Sequence, residues 1–397
     1  MENQIEYYRR RGFRTVFVVV PFHRAFMRSS AVWAEISEGI EELGAHNSFT
    51  APLDQKRYRA AKYAASLRHG FRGTALDWEF AMGNSARLPE DLLQFLHGLP
   101  VTLIQVNYVQ TLGFALRLRK RLGGRGARIP IILETHDVQS DLMQQRGDLN
   151  PWTHKPDLPK RTLHSEISLL GKADVLVHLS WDDFRFFQGR MPHKRHVLAV
   201  PTIDENYVSA VNSAAPLKDT IDLFFAGQNH APNLAAMKWF FEQVWPLLEG
   251  NCYRLKIAGG VDRLVKESLP RLFESFRSCF VGTVADLAPY YRSARCVIAP
   301  MVSGSGTSIK TIEALALGKP VVGTSKAFRG MPIDQLNRAG IQAYDSPRGF
   351  ADAVVSILAD EKRAGVRSRT AYESIFSIQA NFASRDEAVR LAKSTSK

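Results

Sequence analysis

The chain has 397 residues, too many for one core and about right for two domains of ordinary size. Hydrophobic residues make up 45% and charged residues 23%, a globular composition that excludes a disordered or fibrous chain. Lys plus Arg number 52 against 39 Asp plus Glu, and the formal balance of +13 favours anionic partners: phosphorylated small molecules, nucleic acid or an acidic membrane surface.

The opening residues have no apolar core of signal-peptide type, and no stretch approaches the ~20 apolar residues of a membrane span, so a soluble protein is expected. Cys252, Cys279 and Cys296 are odd in number and lack C-x-x-C spacing. Neither a disulfide framework nor a zinc knuckle is expected, and the cytoplasm is the expected compartment.

In chain order, runs rich in Val, Ile and Leu at 15–20, 101–106, 129–133, 175–179 and 196–200 read as strands buried on both faces of a parallel sheet. Amphipathic stretches at 31–43, 111–122 and 161–170 read as their helices. The pattern breaks over 201–219, a run of turn formers with little period, which reads as a linker. A second series follows, with strands at 222–226, 254–258, 278–281, 296–299, 320–323 and 341–344. Its helices are expected at 234–248, 261–276, 286–294, 308–317 and 349–359, before a polar helical tail over 361–397 that packs back toward the first domain. The expected layout is therefore α/β domains at 1–200 and 220–360, with ligands outside the carboxyl ends of the strands and in a cleft between domains.

The most informative stretch runs from Pro300 to Gly323: strand, small-residue loop, helix, stop, strand. Between Ser303 and Ser308 the loop holds only Gly, Ser and Thr, so its backbone N–H groups can approach an anion closely. Thr307 or Ser308 suits an N-cap; Gly318 and Pro320 stop the helix. An anion there meets unpaired N–H groups and the positive end of the helix dipole. Lys310 adds a charge in the first turn, and Glu313 shares its face and can accept two hydroxyls of a ribose. A capped helix with a surface Lys–Glu pair accounts for the same residues. Neither G-x-G-x-x-G, G-x-x-x-x-G-K-[S/T] nor G-x-S-x-G is present in this stretch.

This stretch resembles the donor-binding segment of family-4-like retaining glycosyltransferases of the GT-B fold. Leu223–Gly227 followed by Pro232-Asn233, Leu255–Gly260, Val281–Ala294 and Thr324–Met331 resemble the family's other elements in order and spacing. The likeness is specific over about 221–331 and looser in the first half, where Leu133-Glu-Thr-His-Asp-Val-Gln-Ser140 is the useful match. It implies two Rossmann-like α/β domains facing each other across a cleft. It also implies a diphosphate held by Gly227, Ser305, Gly306, Thr307, Ser308 and Lys310, a ribose on Glu313, a base against Val284, and His136 facing the donor sugar. A His packed against its own loop is the alternative for His136. Glu166 and Asp174 read as scaffold.

The sequence departs from the family in three places. Ser305 stands where the first Glu of the E-x7-E element falls, as in a subgroup with a Gly-rich loop. No Arg or Lys lies between Gly227 and Asn233 to neutralise the leaving diphosphate, which leaves Lys310, the helix dipole and Arg329. The family's opening strand and turn are missing before the residue 2–11 helix and the following strand, so the natural product is expected to begin upstream of Met1.

The resemblance implies transfer of a sugar from a nucleotide diphosphate to a carbohydrate, lipid-linked or small-molecule acceptor with retention, and no cofactor beyond the nucleotide-sugar co-substrate. No D-x-D pair occurs, and no metal is expected. A nucleotide-sugar epimerase and a catalytically silent nucleotide-sugar-binding partner are the rival readings. Basic runs at 8–11, 117–128 and 193–196 lack aromatic interleaving, which argues against nucleic acid; they read as solvated faces or as peripheral contacts with an anionic membrane. His193 and His196 read as part of a basic surface turn. Acceptor contacts are expected in 22–30 and 71–86.

Overall fold

The computed structural model describes residues 2–20, 47–68, 81–123, 128–141, 157–304 and 306–394. The expected helix at 31–43, the acceptor loop at 22–30, most of that at 71–86, and Ser305 lie outside the described residues. The chain divides into two compact units: Met1–Leu179 with Asp183–Ala199 and Phe382–Lys397, and Ser180–Asp182 with Val200–Asn381.

The first unit carries a four-stranded parallel sheet, β3 (Ile104–Asn107), β4 (Ile131–Thr135), β5 (Val175–His178) and β6 (Arg195–Leu198), in that spatial order. β4 and β5 are buried at every position, as their unbroken apolar runs require. β1 (Val16–Val19) and β2 (Asn47–Thr50) form a separate parallel pair. Sequence reasoning passed over β2, whose Asn-Ser-Phe-Thr offers a single apolar side chain. Val16, Val18 and Phe49 pack against the same core as Ile131, Leu133 and Leu176.

That core is tied to the chain's last helix by a buried charge. Arg385 Nη1 lies 2.8 Å from Glu134 Oε2, with side chains 8% and 4% exposed, and Gln4 Nε2 donates to the same oxygen at 3.1 Å. Asp386 takes the Tyr7 hydroxyl at 2.9 Å and the Arg11 guanidinium at 2.6 Å. The helices Glu2–Arg10 and Ile378–Ser394 are thereby fastened to each other and to β4.

The second unit has one five-stranded parallel sheet, order β11 (Val321–Gly323), β10 (Ala294–Ala299), β7 (Ile221–Ala226), β8 (Leu255–Ala258), β9 (Phe280–Gly282). Five corrections to the expected elements have local causes. Residues 201–219 are not a plain linker: Asp204 caps a helix, Glu205–Ser213, by accepting the Asn206 N–H at 2.8 Å. The helix expected over 234–248 ends at Trp239 and continues as a π-turn, Phe240–Val244, that keeps both phenyl rings buried. Pro270 splits the helix expected over 261–276 into Val261–Ser268 and Pro270–Ser275. The expected strand at 341–344 reduces to a single bridge between Gly323 and Ala343. The tail is two helices, Glu361–Ile375 in the second unit and Ile378–Ser394, whose residues from Phe382 onward belong to the first. Among the described residues no helix is long and apolar enough to cross a membrane.

Arg385→Met removes one partner of a buried pair and leaves Glu134 with an amide alone. It is expected to cost about 3–5 kcal/mol of unfolding free energy. Urea denaturation measures this, and the double variant Glu134→Gln with Arg385→Met should recover much of the loss because no buried charge remains unpaired.

Candidate functional site

In the second unit the parallel pairing of β10 with β7 sets the turn after Ala226 beside the loop after Ala299. The loop then turns into the helix Ile309–Ala316. Gly304 and Gly306 have φ of 126° and 63°, backbone that side chains disfavour, so the small-residue tip reflects a conformational need. Neighbours pin it. Ser308 N–H donates to the Arg329 carbonyl at 3.4 Å, and a Cβ on Gly330 would lie 2.5 Å from Thr307 Oγ1. Arg329 packs its guanidinium against Gly304, where an added Cβ would stand 3.1 Å from Cζ.

Ser308 is the N-cap residue by position, yet its side chain does not cap the backbone. Its hydroxyl is buried against Thr311 Oγ1 at 3.1 Å, and Thr311 in turn donates to the Ala327 carbonyl at 2.7 Å. The helix's first N–H groups therefore have no capping hydroxyl from Ser308. Gly318 ends the helix with φ 62°, as its place before Lys319-Pro320 predicts.

Lys310 and Glu313 do not pair. The Lys310 ammonium donates to Asn233 Oδ1 at 2.6 Å and sits 4.5 Å from the centre of the Phe225 ring. Asn233 is oriented by its own Nδ2–H, which donates to the Gln228 carbonyl at 2.8 Å. Burial, reinforced by the Arg329 charge, pushes Lys310 down to about 8. Glu313 instead receives two phenols: Tyr207 O–H on one oxygen and Tyr291 O–H, at 2.9 Å, on the other. Burial and the Glu313 carboxylate raise both tyrosines. Each carboxylate oxygen keeps a second lone pair, so a diol can add to the tyrosines without displacing them.

Gly227 has a packing reason of its own. A Cβ there would fall 2.5 Å from Phe225 Cε1 and 3.1 Å from Asn233 Cγ. Val284 is half-buried in the loop after β9. Lys310 with Gly227 and Asn233 thus forms one contact group and Glu313 with Tyr207 and Tyr291 another, Lys310 and Glu313 sharing one short helix. Sequence reasoning missed Asn233 as a ligand of the lysine and Tyr207 altogether; the Asp204 cap was the available sign of the helix that carries Tyr207.

In the first unit His136 follows β4 at its carboxyl end. Its ring stacks on Tyr108, centroids 3.8 Å apart and planes 13° apart. Tyr108 holds a φ of 66°, a strained value for a non-glycine residue at the end of β3. His136 Nε2 is buried without a hydrogen-bond partner and stands 3.9 Å from Glu134 Oε1, too far for a hydrogen bond. Burial lowers its pKa, so the ring is neutral at pH 7 and offers one nitrogen to a ligand. The loop beyond is fixed by Glu166, whose two oxygens each lie 3.1 Å from the Gln139 N–H and whose acid burial pushes up to about 8. His196, expected on a surface turn, lies in β6 and shares a buried chain: Thr135 Oγ1, His178, His196 and the Met191 carbonyl follow one another at 2.9 Å steps. Among the described residues no group of three or more His, Cys, Asp or Glu is placed to hold a metal ion.

Residues 220–360 match the family model Glycosyl transferases group 1. No curated protein matches the sequence. Among solved structures, the chain is similar to sucrose-phosphate synthase from Thermosynechococcus elongatus at 14% identity, covering 97% of this chain and 100% of that one, with a TM-score of 0.56. It is similar to Anabaena HepE in complex with UDP at 12% identity, 98% and 96% coverage and TM-score 0.58. It also resembles an E. coli trehalose-6-phosphate structure bound with UDP-2-fluoro glucose, at 13% identity, 96% and 99% coverage and TM-score 0.59. At these identities the likeness is one of fold.

A lysine held below its ordinary 10.5 binds fewer protons folded than unfolded, so raising the pH through that window stabilises the folded state. Lys310→Met is expected to be more stable than wild type at pH 7, on the order of 2 kcal/mol. The difference should shrink as pH rises from about 8 to 10.5, followed by denaturant midpoints across that range.

Proposed function

We infer that this chain, whose residues 220–360 match the Glycosyl transferases group 1 model and whose fold is similar to solved GT-B structures, is a glycosyltransferase of the GT-B fold. From that premise we propose that it moves a sugar from a nucleotide diphosphate to an acceptor hydroxyl, with retention at the anomeric carbon. The observation that carries the proposal is Lys310: a half-buried ammonium in the first turn of a helix, held by an amide and an arene rather than by a carboxylate. Its charge remains for an anion to meet.

In this reading the diphosphate lies at the tip, against the backbone of Gly306 and Thr307, the Ser308 end of the helix and the Lys310 ammonium, and Ser305 is assigned to the same group by sequence. The ribose hydroxyls donate to Glu313, and the base lies against Val284. As the anomeric C–O bond breaks, its electron pair passes to the diphosphate oxygen. Fixed N–H donors, the helix N-terminus and Lys310 stabilise that charge, the kind of electrostatic help worth several kcal/mol. The acceptor oxygen bonds to carbon on the face the diphosphate leaves, and its proton passes to the departing oxygen. In the first unit His136, with Nε2 unpartnered, has one nitrogen to offer a sugar ligand.

The relatives that hold UDP or a UDP-sugar make UDP the first probe. Calorimetry should show UDP binding that weakens as pH rises past about 8, because Lys310 loses its proton there. Lys310→Met should bind about tenfold or more weakly and without that pH dependence. Glu313→Gln should weaken UDP while leaving pyrophosphate unchanged. With an acceptor, the anomeric coupling constant of the product reports retention. Failure of every nucleoside diphosphate to bind would sink the proposal; isomerised donor without acceptor would move it to an epimerase, and binding without turnover to a silent partner.

A further inference from the structure

At the amino ends of β4, β5 and β6, opposite the end that carries His136, the first unit has a second concavity of about 520 Å³. It joins the two basic runs that the donor site leaves unexplained. Five cationic side chains line it, Arg119, Arg128, Lys172, Lys194 and Arg195, against one carboxylate, Asp174.

That carboxylate is fully used. Arg119 reaches Asp174 Oδ2 at 3.1 Å, Arg128 reaches Oδ1 at 2.7 Å, and the Ile131 N–H donates to Oδ2 at 2.8 Å. Two guanidiniums thus share a single negative charge. Lys194 donates to the carbonyls of Gly171, at 3.0 Å, and Ala173; Arg195 donates to the Leu391 carbonyl and to Ser394 Oγ at 2.8 Å. These acceptors satisfy hydrogen bonds and neutralise nothing. Burial lowers Lys194; Asp174 opposes that shift, and Arg128 and Arg195 add to it.

A comparable basic concavity of about 610 Å³ in the second unit shows the difference. There Arg295 is held between Asp222, at 3.0 Å, and Glu361, and Arg369 lies 3.0 Å from Glu373. Arg295 and Arg369 each have a carboxylate of their own, whereas in the first unit Arg119 and Arg128 share Asp174 and Arg195 bonds only a carbonyl and a hydroxyl. The lining of the first holds no Phe, Tyr or Trp, so it lacks the stacking platform of a single-strand nucleic-acid site. Concavity and forked donors suit a compact oxyanion.

We propose that this pocket is a second anion site, separate from the donor site, which takes a phosphoryl group, either of a soluble phosphate ester or of a phospholipid headgroup. The test uses the full chain and two probes: inorganic pyrophosphate by calorimetry, and phosphatidylcholine vesicles with and without phosphatidylglycerol by flotation. Arg128→Glu and Lys172→Glu place reversed charge on exposed side chains, and Arg119 keeps its bond to Asp174 in both. Each is expected to weaken binding about tenfold. Lys310→Met should leave this component untouched, so a failure of the donor-site reading shows as loss of the Lys310-dependent event alone. Pyrophosphate binding that falls in the two variants supports a soluble ligand. Flotation that requires phosphatidylglycerol and falls in the same variants supports a headgroup. No binding of either probe, or binding that Arg128→Glu and Lys172→Glu both leave unchanged, overturns the site.

Discussion

A half-buried ammonium bonded to no carboxylate is the feature from which the rest of the second unit takes its meaning. Desolvating a cation is costly, and proteins ordinarily recover that cost with an opposite charge. Lys310 receives the oxygen of Asn233 and the face of Phe225, which hold its position without a carboxylate bond. The field is directed along a helix start whose Ser308 hydroxyl is turned inward to Thr311. Two sources of positive potential are therefore stacked at one tip. Such an arrangement lowers stability and raises affinity for an anion, the exchange expected at a binding site.

Glu313 is treated in the opposite way. One turn along the same helix, it is surrounded by neutral donors, Tyr207 and Tyr291, which fix the carboxylate plane without offering a proton at neutral pH. Had Glu313 paired with Lys310, each would have cancelled the other. Their separation lets one eight-residue helix carry a cation and an anion with separate partners. Tyr291 is buried to 1% exposure and comes from the helix before β10, so the carboxylate is fixed from the sheet side as well as from the helix Glu205–Ser213.

The fold was legible where burial dictates composition. β4, β5 and β7 are covered on both faces, and their apolar runs announce it. β2 was not, since its polar residues pay no visible tribute to a core. The strand endings and the Gly-Ser-Gly tip were readable because positive φ demands glycine and helix stops demand Gly and Pro. The partners of the site residues were hidden for a different reason. Nothing local distinguishes the Lys310–Glu313 pair that spacing suggests from the Lys310–Asn233 contact that forms across 77 positions. Tyr207 lay in a segment whose turn formers masked a nine-residue helix. Glu134, next but one to His136, showed no sign that Arg385 would reach it, because contacts of that range leave no periodic trace.

The first unit is built from both extremities of the chain: Phe382–Lys397 belongs to it, and Arg385 and Asp386 complete the bonding of β4, Tyr7 and Arg11. Translation delivers these pieces at opposite times. Until the segment that carries Arg385 has been made, Glu134 lacks its guanidinium partner. The first unit's cooperative closure must await the final helix, so the unit that begins first is the one that finishes last.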